Sequence, residues 1–114
     1  MVNIYDDLNK LVLNFRKLDE FKALEEAVEK VRADEEAKKY FTNFRDIQMK
    51  LQKKQVAGEE ITEEEMTYVQ KAAQLAQSNP KIIAMLEAEM ALSNIIEEVN
   101  RVLFQPIQGM YEGL

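Results

Sequence analysis

Apolar residues recur at intervals of three and four along most of the chain, which predicts helices and not strands. A first helix is expected to follow an N-cap at Asn3, and Asp19 and Asp34 are candidate N-caps for two further segments. The apolar positions of the first two segments are Ile4, Leu8, Leu11, Val12, Phe15, Leu18, Phe21, Leu24, Val28 and Val31. This pattern leaves open whether residues 19–57 form one bent helix or two.

The clearest pattern lies between Ala37 and Glu65. Four apolar residues follow one another at steps of four, three and four, as in a helix that packs along a partner helix. These residues are Tyr40, Phe44, Ile47 and Leu51. Gly58 is a typical helix C-terminus, and Thr62 with Glu65 matches the capping box that begins the next helix. The short link predicts a long antiparallel helical hairpin.

A fourth helix carries small apolar residues on its inner face, which allows a neighbouring helix to approach closely. Asn79 and Pro80 then have the N-cap and N1 pattern of a long C-terminal helix. We expect it to run to about Phe104, where Pro106 interrupts it. Its apolar residues surround most of its circumference, and a short chain has little with which to cover them. We therefore expect a homodimer.

Composition agrees with an all-α fold of about five helices in a single domain over residues 1–114. The chain has three glycines, two prolines and no cysteine, a composition that favours helix and offers no disulfide framework. Its first ten residues lack the pattern of a secretory signal. The longest apolar run, Ile82 to Leu86, is far shorter than the about 20 residues of a membrane span. We expect a soluble, cytoplasmic protein.

Charge is distributed unevenly. The net charge is −6, yet residues 37–57 carry six basic groups and one acidic group, a local charge of +5. A basic patch is therefore expected on this helix, formed by Lys38, Lys39, Lys50, Lys53 and Lys54. It can bind RNA, an anionic membrane surface or an acidic partner, or it can be a solvated face that pairs with nearby glutamates. The acidic pI near 4.8 favours the solvated face.

A second line of residues runs beside the apolar positions of the same helix. We name it the recognition stripe: Phe41, Arg45, Gln48, Gln52 and Gln55. Steps of four and three place these residues on one face. Long amides and a guanidinium can hydrogen-bond to another protein or fix a helix interface, so these residues are candidates for partner binding. The alternative is a half-exposed flank without a partner.

The sequence lacks two of the residue types that enzymes use for catalysis. The chain has no histidine and no cysteine, which excludes Ser-His-Asp and Cys-His systems and HExxH zinc sites. Four glutamates on the last helix are candidates for acid–base work, although acidic residues on a long helix usually mark its solvent face. They are Glu87, Glu89, Glu97 and Glu98. We expect no catalytic residue, no metal site and no cofactor, and hence no enzyme.

The segment from Asn43-Phe44-Arg45-Asp46 to Gly58-Glu59-Glu60-Ile61-Thr62, with Glu87-Ala88-Glu89, Pro106 and Tyr111, resembles the YheA branch of the YlbF/YmcA family of small bacterial proteins. The resemblance covers nearly the whole chain. It implies a helical fold, assembled as a dimer in the cytoplasm of a Gram-positive bacterium, without an established enzymatic activity. Relatives in this family form an adaptor complex with YaaT linked to RNase Y, RNA processing, competence, sporulation and biofilm formation.

The iron–sulfur clusters of that complex need cysteine ligands, which this chain lacks. Together, the residues and the resemblance lead to the hypothesis of a non-catalytic protein-protein interaction or adaptor protein with a regulatory role. The alternative is an RNA-binding protein that uses the basic helix 37–57.

Overall fold

The protein is all-α. A computed structural model describes residues 2–114, and within this range the chain forms five helices and no strand. The helices are α1 (Ile4–Phe15), α2 (Asp19–Ala33), α3 (Glu35–Val56), α4 (Glu63–Gln77) and α5 (Pro80–Tyr111). This confirms the predicted fold class.

The first three helices are separated by short breaks. The side chain of Asn3 accepts a hydrogen bond from the Tyr5 N–H at the start of α1, as predicted. Asp34 is the N-cap of α3 and accepts from the Ala37 N–H at 3.1 Å, so residues 19–57 contain two helices. The prediction of Asp19 as an N-cap was wrong. Asp19 is the first residue of α2, where its negative charge still favours the helix N-terminus.

The α3–α4 hairpin forms as its caps predict. Helix α3 ends at Val56, and Gly58 follows with a φ of +73°, in the left-handed region that a C-terminal glycine adopts readily. The Glu59 N–H donates to the Lys54 carbonyl, and the Gly58 N–H donates to the Gln55 carbonyl, which is the Schellman pattern. Both hydrogen bonds of the predicted capping box at the start of α4 are present.

Helix α5 is longer than predicted. Asn79 caps it by accepting from the N–H groups of Lys81 and Ile82, but the helix continues through Pro106 to Tyr111. The prediction that Pro106 interrupts α5 was wrong. Proline removes one backbone hydrogen bond, yet its fixed φ is itself helical, so the chain can remain in a helix beyond it.

The described residues group into two compact units, residues 2–25 with 87–114 and residues Glu26–Leu86. The second unit contains the α3–α4 hairpin and most of the buried side chains. These are Val31, Ala37, Ile47, Ala72, Ala76, Ile82 and Met85. In the first unit Leu92 is buried, and the rings of Phe15 and Phe21 meet edge to face at 5.6 Å. The single domain over residues 1–114 stays a prediction.

None of the helices within residues 2–114 combines the length and the apolar character that crossing a membrane requires.

Candidate interaction surface

The recognition stripe runs along α3 and borders two grooves. Arg45 and the three glutamines are exposed, and Phe41 is half-buried. The Arg45 guanidinium lies over the Phe41 ring, 5.9 Å from its centre, within the range of a cation–π contact. Two members of the stripe therefore already interact with each other.

The three glutamines border an open groove between α3 and α4, which we name the glutamine groove. Its apolar side chains come from both helices and from the loop between them, and its volume is about 480 Å³. The residues that line it are Gln48, Leu51, Gln52, Gln55, Ile61, Met66 and Val69. Amides beside an apolar floor provide both hydrogen bonds and apolar contact, as protein-binding surfaces do.

Phe41 and Arg45 border a different groove, which we name the cationic groove. Helices α2, α3 and the beginning of α5 form it within the unit Glu26–Leu86. The residues that line it are Val28, Val31, Arg32, Lys38, Phe41, Thr42, Arg45 and Met85. The sequence did not indicate Arg32 and Met85 as neighbours of the stripe, because both lie on other helices.

Glu65 is the most connected carboxylate of the hairpin. Its Oε1 accepts hydrogen bonds from Lys54 Nζ at 2.5 Å and from the Thr62 N–H at 3.1 Å. Lys50 Nζ lies 3.8 Å from Oε2, which is buried without a hydrogen-bond partner among the described residues. The hydrogen bond from Lys54, followed by that from Thr62, lowers the pKa of Glu65 to about 2. The charged side chain of Glu65 therefore links α4 to α3 through an ion pair.

The lysines of the basic patch fall into two groups, those that approach Glu65 and those that do not. Lys54 is half-buried against Glu65, and the exposed Lys50 also approaches Glu65. The other three lysines, Lys38, Lys39 and Lys53, are exposed and have no ion pair with any residue of the range 2–114. The patch thus combines lysines that pair within the hairpin with lysines that face solvent.

A second long-range ion pair supports the N-terminus of α3. Lys81 Nζ donates to Oδ2 of Asp34 at 2.8 Å. This hydrogen bond is the largest cause of the lowered pKa of Asp34, and the hydrogen bond from the Ala37 N–H adds to it. The pair links the cap of α3 to the first turn of α5. Its partners are 47 residues apart, so no local pattern could indicate it.

The glutamates of α5 form no enclosed acidic site. All four candidates for acid–base chemistry are exposed. Glu98 is paired with Arg101 on the same helix, which lowers its pKa. Across the described part of the chain, no cluster of three or more potential ligands is arranged to hold a metal ion. We take the two grooves beside the recognition stripe as the candidate interaction surface.

Known proteins resemble the chain over nearly its whole length. It is 63% identical to a UPF0342 protein of Lysinibacillus sphaericus over 114 residues, which is 100% of this chain and 99% of the relative. It is 44% identical to the UPF0342 protein YheA of Bacillus subtilis, over 96% of this chain and 94% of the relative.

The fold has a solved counterpart, described as a protein of unknown function (DUF964) from Bacillus stearothermophilus. That structure superposes with a TM-score of 0.85 and 33% identity over 97% of each chain. The family described as "Control of competence regulator ComK, YlbF/YmcA" matches residues 4–108, and its description indicates no catalytic activity. With its helical hairpin and its YheA-like relatives, the chain belongs to the YlbF/YmcA family.

Proposed function

We propose that this protein is a non-catalytic regulatory adaptor that forms a homodimer and binds a protein partner through the recognition stripe. The observation that carries the proposal is the large amount of apolar surface exposed on α1 and at the end of α5. None of the residues of α1 is buried, although apolar side chains line one of its faces. Exposed apolar surface of this extent is typical of proteins that bind other proteins.

Two apolar stripes support the homodimer. On α1, Ile4, Leu8, Leu11 and Val12 recur at helical spacing and are exposed. On α5, Leu103, Ile107 and Met110 also recur at helical spacing and are exposed. All residues beyond Asn100 are exposed. Both stripes belong to the same compact unit. A second copy that covers them removes apolar area from water, which is the main driving force of association.

Light scattering tests the homodimer. At micromolar concentration the wild type is expected at about twice the chain mass of 13.3 kDa. Ile107→Glu places a charge in the α5 stripe and is expected to yield monomers. Gln108→Glu adds the same charge at the next exposed position and should leave the mass unchanged. A wild-type mass of one chain contradicts the homodimer.

The polar and apolar residues around the glutamine groove support a protein partner. Co-purification with the tagged chain from its native host tests this part of the proposal. A variant with Gln48→Ala, Gln52→Ala and Gln55→Ala keeps good helix formers in α3 and should lose the partner. In the matched control, alanine replaces three exposed glutamines of α4, which are Gln70, Gln74 and Gln77. Recovery of the partner by both triple variants alike contradicts the assignment of the stripe.

The family description supports a regulatory role, because it refers to control of the competence regulator ComK. Deletion of the gene in a naturally competent host is expected to change the transformation frequency and the expression of ComK-dependent genes. The wild type should restore both, and the glutamine triple variant should not. If the transformation frequency and the expression of ComK-dependent genes both stay unchanged, a role in competence is contradicted. The same strains can be scored for sporulation and biofilm formation.

RNA binding is the alternative, and the exposed Lys38, Lys39 and Lys53 favour it. Binding of labelled single-stranded RNA should then weaken steeply as salt increases. It should also weaken when Lys38 and Lys39 are replaced by glutamate. Absence of binding at low salt eliminates this alternative and leaves the adaptor.

A further inference from the structure

The cationic groove combines an apolar floor with a rim of positive charge. Val31 and Met85 are buried at its floor, with 5% and 4% of their surface exposed. Arg32, Lys38 and Arg45 stand exposed around it, and none of the side chains that line it is acidic. The lining therefore carries three positive charges, although the whole chain has a net charge of −6. An apolar floor with a cationic rim is complementary to a ligand that is both apolar and negatively charged.

The acidic residues next to the rim leave its three cations available to a ligand. Arg32 pairs with Glu29 one turn earlier at 2.8 Å, but both side chains are mostly exposed. Arg45 Nε lies 3.8 Å from the carboxylate of Asp46, which is also exposed. Exposed pairs contribute little to stability, so a ligand carboxylate can replace them at small cost. Lys38 has no ion pair with any residue in the described range.

The Arg45 guanidinium lies over the Phe41 ring, 5.9 Å from its centre. Its planar group can match a carboxylate with two parallel hydrogen bonds. Because Phe41 also lines the groove, an apolar side chain placed there lies next to the carboxylate-binding group.

The size of the groove restricts its occupant. Its volume is about 200 Å³, below the range of about 300–1,000 Å³ usual for small-molecule sites. One large apolar side chain fills such a volume. The rim cations suit a phosphate as well as a carboxylate, but the apolar floor offers no hydrogen-bond partner to a sugar or a base. These features favour a short protein segment over a metabolite or RNA.

We propose that the cationic groove binds a short acidic segment of a partner protein, with one large apolar side chain inserted between α2 and α3. Carboxylates on either side of that side chain bind Arg32, Lys38 and Arg45. The inference rests on the proposed function and specifies the chemistry of the partner that the adaptor recognises.

Selection of displayed short random peptides against the wild-type chain of 114 residues tests the proposal. Enriched peptides are expected to be acidic with one leucine or aromatic residue, and their affinity should fall as salt increases. Arg32→Glu with Lys38→Glu should weaken binding by at least about tenfold. Lys10→Glu with Lys22→Glu makes the same change in charge at exposed positions outside the groove and should have little effect.

A second variant keeps every charge. The larger side chain of Val28→Phe occupies part of the groove. If its circular dichroism matches that of wild type, this variant should bind the same peptides about tenfold more weakly. No enrichment, enrichment without an acidic bias, or equal binding by wild type and both groove variants overturns the proposal. A change of oligomeric mass in Arg32→Glu with Lys38→Glu also overturns it, because the occupant would then be a second copy.

Failure of this inference is distinguishable from failure of the proposed function. If the partner co-purifies with Arg32→Glu/Lys38→Glu but not with the glutamine triple variant, the adaptor role stands and the cationic groove is not its binding site.

Discussion

Lys54 on α3 donates a hydrogen bond from Nζ to Oε1 of Glu65 on α4, across the hairpin, at 2.5 Å. The same carboxylate oxygen accepts from the Thr62 N–H and completes the capping box of α4. One side chain therefore both begins a helix and joins it to its neighbour. Its ionisation state should affect the stability of the whole hairpin.

The lowered pKa of Glu65 predicts a specific loss of stability in acid. The pKa falls from its usual 4.5 to about 2, so the folded state favours the charged form. The stabilisation is complete above pH 4.5 and is lost as the pH falls toward 2. We expect Glu65→Gln to unfold at lower urea concentration than wild type at pH 7, with a smaller difference near pH 2.

Glu64→Gln is the matched control, because Glu64 lies beside Glu65 in the first turn of α4 and is exposed. Its unfolding midpoint should stay close to that of wild type throughout. Equal pH dependence of wild type and Glu65→Gln would show that the Lys54 hydrogen bond does not stabilise the fold.

The two glycines at positions 58 and 109 should respond to alanine with opposite signs. Gly58 has a φ of +73°, so Gly58→Ala should destabilise by about 1–2 kcal/mol through backbone strain. Gly109 lies within α5, and a Cβ there meets nothing within 4 Å. Gly109→Ala should stabilise by about 1 kcal/mol through helix propensity. Urea unfolding of both variants checks the pair, and the same sign for both would contradict this assignment of helix ends.

Loss of the α4 N-cap should have a moderate effect. The Thr62 hydroxyl accepts from the Glu65 N–H at 3.1 Å, and Thr62→Ala removes this bond at an expected cost of about 1 kcal/mol. Thr67→Ala, at an exposed position inside the same helix, should be neutral or slightly stabilising. Because Thr62 and Glu65 share hydrogen bonds, the effects of Thr62→Ala and Glu65→Gln should not be additive. Additive effects in thermal unfolding would show two independent contacts.

The most fully buried large side chain should be the most sensitive one. Ile82 has no exposed surface, so Ile82→Ala should cost about 2–5 kcal/mol through lost burial and a new cavity. Ile83, the next residue, is 38% exposed and provides the control, with an expected loss under about 1.5 kcal/mol. Similar losses in calorimetry for both variants would contradict the placement of Ile82 in the core.

Local patterns were sufficient for the helix boundaries that depend on caps. Asp34, Gly58, Thr62 with Glu65, and Asn79 with Pro80 act within a few residues of themselves, and the structure confirms all of these predictions. Pro106 misled the prediction because a proline disfavours an interior helical position without forbidding a helical φ. Asp19 was misplaced by one position, since an acidic residue is favourable both at an N-cap and in the first turn.

Spacing and capping along single stretches of chain were enough to predict the helical fold class and the α3–α4 hairpin, and they place the residues of the recognition stripe on one face of α3. The pairing of Glu65 with Lys54 and of Asp34 with Lys81 is seen only in the folded protein. The fold also divides the stripe between two grooves. These contacts join side chains of different helices, whose proximity depends on how the helices pack and not on their spacing in the sequence.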